Sequence, residues 1–144
     1  MSAETFFSDV QKSIIRRSIE AAEMKTSGEI RVHIEQKCKG EAIKAAEKTF
    51  GNLKMHETKL RNGVLIYLAI DSRVFAIYGD KGIHEKVQPD FWNYCSSIME
   101  SFFRKGEFTD GLKAGIAIAG DQLGKHFPRT DSDKNELTNE ISFK

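Results

Sequence analysis

The sequence predicts an α/β protein, a three-layer α/β/α sandwich whose mixed central sheet carries helices on both faces. Three observations lead there. Glu29 to Glu35 alternates apolar with polar residues, the period of a half-buried strand, whereas Gly63 to Ile70 is continuously apolar, as a central strand covered on both faces should be. Between them lies a stretch of helical spacing, and a crossover through a helix makes the flanking strands parallel and right-handed. After Ile70 only Asp71-Ser72-Arg73 intervenes before Val74 to Tyr78, so the third strand returns antiparallel as a hairpin.

Each element has its own signals. Ser8-Asp9-Val10-Gln11 is a capping-box pattern, followed at helical spacing by Val10, Ile14, Ile15, Ile19 and Ala22. Lys12, Arg16, Arg17, Glu20 and Glu23 lie away from that stripe, and Thr26-Ser27-Gly28 stops the helix. Glu41 to about Met55 places Ile43, Ala46, Phe50 and Leu53 on one face, with Gly51 inside it. Thr58 to Asn62 reads as a loop. Pro89, with its fixed φ, suits a first helical position, and Phe91, Trp92, Cys95, Ile98, Met99, Phe102 and Phe103 give the helix it opens a wide apolar face. Gly106 closes that helix. Thr109 is expected to cap a final one, which buries Leu112, Ile116, Ala119 and Leu123 and ends at Gly124. The domain is expected to span residues 1–127, leaving 128–144 as a polar, loose tail that carries Asp131-Ser132-Asp133-Lys134-Asn135, with Phe127 or Phe143 as its candidate anchor.

Composition narrows the function. A chain of 144 residues holds one domain with a proper core and needs no disulfide or metal staple. Its 22 Lys and Arg against 21 Asp and Glu give a net charge of +1, which argues against a nucleic-acid partner held by bulk charge. Cys38 and Cys95 are isolated thiols with no CxxC, fitting a reducing compartment and excluding cysteine-rich zinc sites. The N-terminus lacks the basic and apolar regions of a signal peptide, and the longest apolar run falls far short of the roughly 20 residues that span a bilayer. The expectation is a soluble, cytoplasmic protein.

Topology gathers the candidate chemistry. The start of the first strand, the start of the second and the end of the third share one edge of the sheet. That edge holds Thr26-Ser27-Gly28-Glu29, Arg61-Asn62-Gly63 and Gly79-Asp80-Lys81-Gly82. Glu29, Asp80, Asn62 and Ser27 form the oxygen-only set that Ca²⁺ or Mg²⁺ prefers, although Gly, Asn and Asp also make ordinary turns. The opposite edge, at the carboxyl ends of the parallel strands, is the rival position. It places Asp71 and Asp110 as possible cation ligands and Arg73 as a phosphate partner, against the plainer reading of a hairpin turn and a helix first turn.

Other residues carry less. His33, His56, His84 and His126 are scattered, and His33 reads as a surface histidine on the polar face of its strand. Cys95 belongs to an apolar stripe. Lys37 and Lys39 flank Cys38, yet no Cys–His arrangement accompanies it. P-loop, GxGxxG, GxSxG and HExxH motifs are all missing from the sequence.

The ordered set of segments resembles the TPM domain family, also labelled TPM phosphatase, from about Phe6 to Phe127. The resemblance rests on the opening helix leading into Thr26-Ser27-Gly28-Glu29-Ile30-Arg31-Val32, then Thr58 through Arg61-Asn62-Gly63-Val64-Leu65-Ile66-Tyr67, then Phe75 through Ile77-Tyr78-Gly79-Asp80-Lys81-Gly82-Ile83, then Phe91-Trp92 and Phe103 to Gly111. It implies an α/β/α sandwich, cation binding (calcium in particular) in some members, and acid phosphatase activity in a plant thylakoid-lumen branch serving photosystem II repair. Other branches act as membrane-associated accessory proteins. Without a signal peptide or anchor, this chain is similar to a short soluble bacterial form. The expected function is a soluble domain binding Ca²⁺ or Mg²⁺ with modest affinity, a stress, repair or assembly accessory protein with a protein partner. The alternative is a metal-assisted acid phosphatase acting on phosphomonoesters, for which the sequence nominates no nucleophile beside a base.

Overall fold

A computed structural model describes residues 2–130 and 139–144 of the chain. In chain order the elements are α1 (Ala3–Phe6), α2 (Asp9–Glu23), β1 (Glu29–Glu35), α3 (Ala42–Asn52), β2 (Gly63–Ala69) and β3 (Val74–Gly79). They continue with α4 (Lys81–His84), α5 (Pro89–Arg104), α6 (Phe108–His126) and β4 (Ser142–Phe143). The sheet order is β3-β2-β1-β4, with β1 parallel to β2 and β4 and β2 antiparallel to β3. Helix α3 packs on one face through Ala46 and Phe50 against Leu65, Tyr67 and Ala69. Helices α2, α5 and α6 cover the other, burying Ile15, Ile19, Met99, Leu112, Ile116 and Leu123 against Ile30, Val32, Ile34, Val64, Ile66 and Leu68. The expected α/β class is therefore the observed one. Among the described residues no helix is long and apolar enough to cross a membrane.

The predicted caps form. Ser8 Oγ accepts the Gln11 N–H at 3.1 Å, and Gln11 Oε1 accepts the Ser8 N–H at 2.9 Å. Pro89 sits in the first turn of α5. That helix ends in a Schellman pattern, with Gly106 N–H on Phe103 C=O and Glu107 N–H on Phe102 C=O, both at 3.0 Å. Gly106 supplies the φ of +78° that this pattern needs. Glu107 closes α5 and also begins α6, so Thr109 lies one residue inside the helix rather than capping it. Likewise α3 stops at Asn52, because Lys54 turns left-handed at φ 57°. Met55, read as helical, is buried in the turn that follows.

Gly124 does not end α6. The helix runs on to His126, and a Cβ at position 124 would lie 2.9 Å from the Lys25 carbonyl oxygen. Four glycines of α6 are contact residues: a Cβ at Gly111 or Gly115 would strike Phe103 or Met99 of α5, and one at Gly120 would lie 2.7 Å from Ala22 Cβ of α2. Both cysteines are free, with Cys95 buried and its thiol pushed by burial to about 12, and Cys38 half-buried.

The C-terminal region departs from expectation. Residues 131–138, which include the polar run Asp131 to Asn135, lie outside the described residues. Beyond them the chain is docked: Ile141 is 8% exposed, Phe143 packs on the core, and Ser142–Phe143 pairs parallel with His33 and Ile34. Lys144 N–H on Ile34 C=O and Gln36 N–H on Lys144 C=O extend that ladder. The candidate anchor Phe143 is joined by Ile141 at the alternate position.

Two stability predictions follow from these contacts. Ile141→Ala should cost about 2–4 kcal/mol in chemical unfolding, the range for truncating a buried Ile; a change under about 0.5 kcal/mol, the scatter of surface substitutions, would show that the segment does not hold the core. For the glycines, Gly120→Ala should destabilise, because Ala22 backbone and Cβ stand in the way. Gly51→Ala, with open space around it, should gain a few tenths of a kcal/mol from helix propensity. Urea midpoints moving in opposite directions are the expected result.

Candidate functional site

Register builds the edge that the sequence anticipated. Glu29 pairs with Gly63 and Val64 with Gly79, so the three turns meet. Backbone bonds interlock them: Glu29 N–H to Asn62 C=O at 3.3 Å, Asp80 N–H to Gly63 C=O at 3.0 Å, and Gly82 N–H to Arg61 C=O at 3.0 Å. A Cβ at Gly82 would fall on the carbonyls of Leu60 and Arg61, so only glycine permits this approach. Glu29, Asn62 and Asp80 are just 2%, 1% and 3% exposed, which sets them apart from solvated turn residues.

Asp80 is not an open carboxylate. Arg61 holds it in a two-pronged ion pair, Nε to Oδ2 at 2.6 Å and Nη2 to Oδ1 at 2.8 Å. Oδ1 also accepts the Lys81 N–H at 2.8 Å, capping α4. Asp80, expected as a ligand together with Glu29 and Asn62, has its charge met by the arginine one residue before Asn62, and the pair ties the second turn to the third. Arg61 reaches it from a left-handed φ of 52°.

A carboxyl that sequence reasoning missed takes its place beside Glu29. Glu23, the last residue of α2, is 6% exposed, and its Oε2 accepts the Ile30 N–H at 2.8 Å. Its carboxyl also shares a hydrogen bond with that of Glu29. Burial chiefly, then the charge and hydrogen bond of Glu29, push the Glu23 pKa up to about 8, against the opposing Ile30 N–H and Arg129. The signal was present in the spacing, since Ile15, Ile19 and Glu23 follow one another every fourth residue along the buried stripe.

The rest of the edge is polar and mostly paired. Thr26 Oγ1 donates to Phe127 C=O and accepts the Gly28 N–H, while Ser27 N–H donates to the same Phe127 carbonyl at 2.9 Å. Asn62 Nδ2 lies 3.5 Å from Ser27 Oγ, but Asn62 Oδ1 is buried without a hydrogen-bond partner. An orphaned amide oxygen on the same edge as a carboxyl pair offers oxygen ligands of the kind a hard cation prefers. Two carboxyls and one amide are what this edge offers; no group of three or more His, Cys, Asp or Glu placed for a metal occurs among the described residues.

The rival edge is open. Asp71 is exposed, takes a hydrogen bond from Gln36 Nε2 and donates its own N–H to Gln36 C=O at 3.0 Å. Asp110 is exposed in the first turn of α6. No hydrogen bond or ion pair joins them among the described residues. His33, expected at the surface, is 4% exposed because β4 lies beside it.

Fold and edge together define a class: an α/β/α domain with an open mixed sheet and a buried acidic pair where its parallel strands begin. The chain belongs to the TPM-domain family, whose model matches residues 1–122. It is similar to the BA42 protein of the psychrophilic bacterium Bizionia argentinensis, known from an NMR structure, with 44% identity over 96% of each chain and a TM-score of 0.91. Two further NMR structures share the fold. The N-terminal domain of cg2496 from Corynebacterium glutamicum is 11% identical over 93% of this chain and 81% of its own, with a TM-score of 0.66. The N-terminal domain of a P. gingivalis protein is 20% identical over 84% and 78%, with a TM-score of 0.65. Among curated proteins none matches.

The acidic pair sets a pH dependence. Glu23 keeps its proton in the folded state up to about pH 8 but releases it near its ordinary value of 4.5 when unfolded. Folding therefore loses stability as pH rises through that window, and none of the penalty acts below it. Glu23→Gln, which removes the titration, should show a melting-temperature advantage over the parent that widens from pH 5 to pH 8. Parallel curves across that range would contradict the pairing.

Proposed function

We propose that this protein is a divalent-cation-binding TPM domain, with Ca²⁺ or Mg²⁺ held where β1 and β2 begin by Glu29, Glu23 and Asn62 Oδ1, and with an accessory role exerted through a protein partner. The observation that carries the reading is the buried amide oxygen of Asn62, without a hydrogen-bond partner at the edge where two buried carboxyls meet. Two neighbouring carboxyls resist simultaneous ionisation until a cation compensates them. Asp80 serves as a positioning residue, since its pairing with Arg61 fixes the approach of the Asn62 turn. Oxygen ligands suit a hard cation, and a site with only two carboxylates belongs to the weak range, about 10⁻⁴ to 10⁻³ M.

Calcium titration followed by NMR tests this. Amides of residues 28–30 and 62–63 should shift together, and Glu29→Gln or Glu23→Gln should weaken binding several-fold. Asp71→Asn should leave binding unchanged. Shifts centred on Asp71 and Asp110, with the Glu29 amide unmoved, would move the site to the carboxyl ends of the strands. A chromogenic phosphate ester assayed with and without Mg²⁺ tests phosphomonoesterase action, and metal-dependent turnover lost in Glu29→Gln would make the same edge catalytic.

A further inference from the structure

The face of β1 opposite the large core carries a second constellation. In the parallel register Ser142 of β4 stands beside His33, and Glu35 follows two residues on, along the same face. Ser142 Oγ lies 2.7 Å from His33 Nδ1, and Glu35 Oε1 lies 3.1 Å from Nε2. The ring stacks on Tyr67 with centroids 5.8 Å apart, which fixes its plane.

Protonation gives each atom a role. Burial, chiefly, holds the imidazole below its ordinary value, with Arg31 and Lys144 opposing protonation and Glu35 favouring it. A neutral ring has one N–H, and the Glu35 carboxylate accepts only, so the proton sits on Nε2 and Nδ1 accepts from the Ser142 hydroxyl, which is nearer to it at 2.7 Å than to its other acceptor, Val32 C=O, at 3.4 Å. Hydroxyl, base and orienting carboxylate are thus in hydrogen-bond reach in the order that activates a serine. Residue 144 directs its backbone groups at β1, so strand alternation turns the Phe143 N–H to the outer edge, one residue past the hydroxyl, where a donor can meet a developing oxyanion.

We propose that Ser142, His33 and Glu35 form a nucleophile, general base and orienting acid that hydrolyse small carboxylic esters. Ser142 Oγ attacks the ester carbonyl carbon while its proton passes to His33 Nδ1. The tetrahedral adduct collapses, the C–O bond to the leaving group breaks, and the departing alkoxide takes that proton to leave as the alcohol. Water then attacks the acyl-serine, giving its proton to Nδ1; the acid departs and Ser142 regains its hydrogen. Glu35 accepts from Nε2 throughout and offsets the imidazolium charge. Ser142 lies beyond residues 1–122 of the family match, and the site shares no residue with the edge proposed for the cation.

A fluorophosphonate probe on the full chain, read by intact mass and peptide mapping, tests this alongside p-nitrophenyl acetate hydrolysis. One adduct is expected, on Ser142, and Ser142→Ala should abolish it together with esterase turnover above background. His33→Gln should slow labelling at least tenfold. Ser142→Ala removes a single hydroxyl from a half-buried position, so it decides the matter even where the His33 variant folds poorly. No adduct, an adduct elsewhere, or parental turnover in Ser142→Ala would overturn the proposal.

Discussion

Helix α6 lies between two neighbours, and glycine lets it touch both. Gly111 and Gly115 admit Phe103 and Met99 of α5, while Gly120 and Gly124 admit Ala22 at the end of α2 and the carbonyl of Lys25 just beyond it. Each glycine weakens an isolated helix by about 1 kcal/mol relative to alanine, so α6 owes its order to packing rather than to propensity. The return is position. Drawing α6 onto the end of α2 brings Phe127 under Thr26 and Ser27, and holds Glu23 against the first residues of β1. The polar edge is a consequence of helix spacing on the layer above it.

The sheet was largely legible from the sequence because period and turn length are local properties. Alternation at Ile30, Val32 and Ile34, the apolar run from Gly63, and the three-residue turn before Val74 fixed strand identity and direction, and topology then predicted that Glu29, Asn62 and Asp80 would gather at one edge. What stayed hidden depends on contacts distant in sequence. Arg61 sits beside Asn62 in the chain, yet only the folded turn shows it claiming Asp80. Gly124 resembled a helix stop because its partner, the Lys25 carbonyl, lies about a hundred residues away in the chain.

Glu23 and His33 teach a related lesson about buried polar residues, one on the apolar stripe of a helix and one on the polar face of a strand. Charge and polarity argue for solvent in both, and only the spacing of Glu23 along its helix points inward. In the fold each is buried and each has partners: Ile30 N–H and Glu29 for the carboxyl, Ser142 and Glu35 for the ring. Buried polar groups persist when they are satisfied, and both are satisfied by residues on neighbouring strands or strand starts. The two lie at β1 yet on different faces, Glu23 reaching it from α2 on the side of the large core and His33 standing on the side of α3.

The pairing of β4 with β1 also governs how this molecule meets its own copies. A strand edge with unpaired N–H and C=O groups is a template for another chain. Here Ser142, Phe143 and Lys144 occupy that template along the second half of β1, from His33 to Gln36. Phe143 and Ile141, pressed into the core, keep the cover in place, and a slip by one residue would exchange Phe143 for Ser142 inside it. The pairing is therefore an intramolecular competition: a tethered segment claims these hydrogen bonds at an effective concentration on the order of millimolar, ahead of a more dilute second copy.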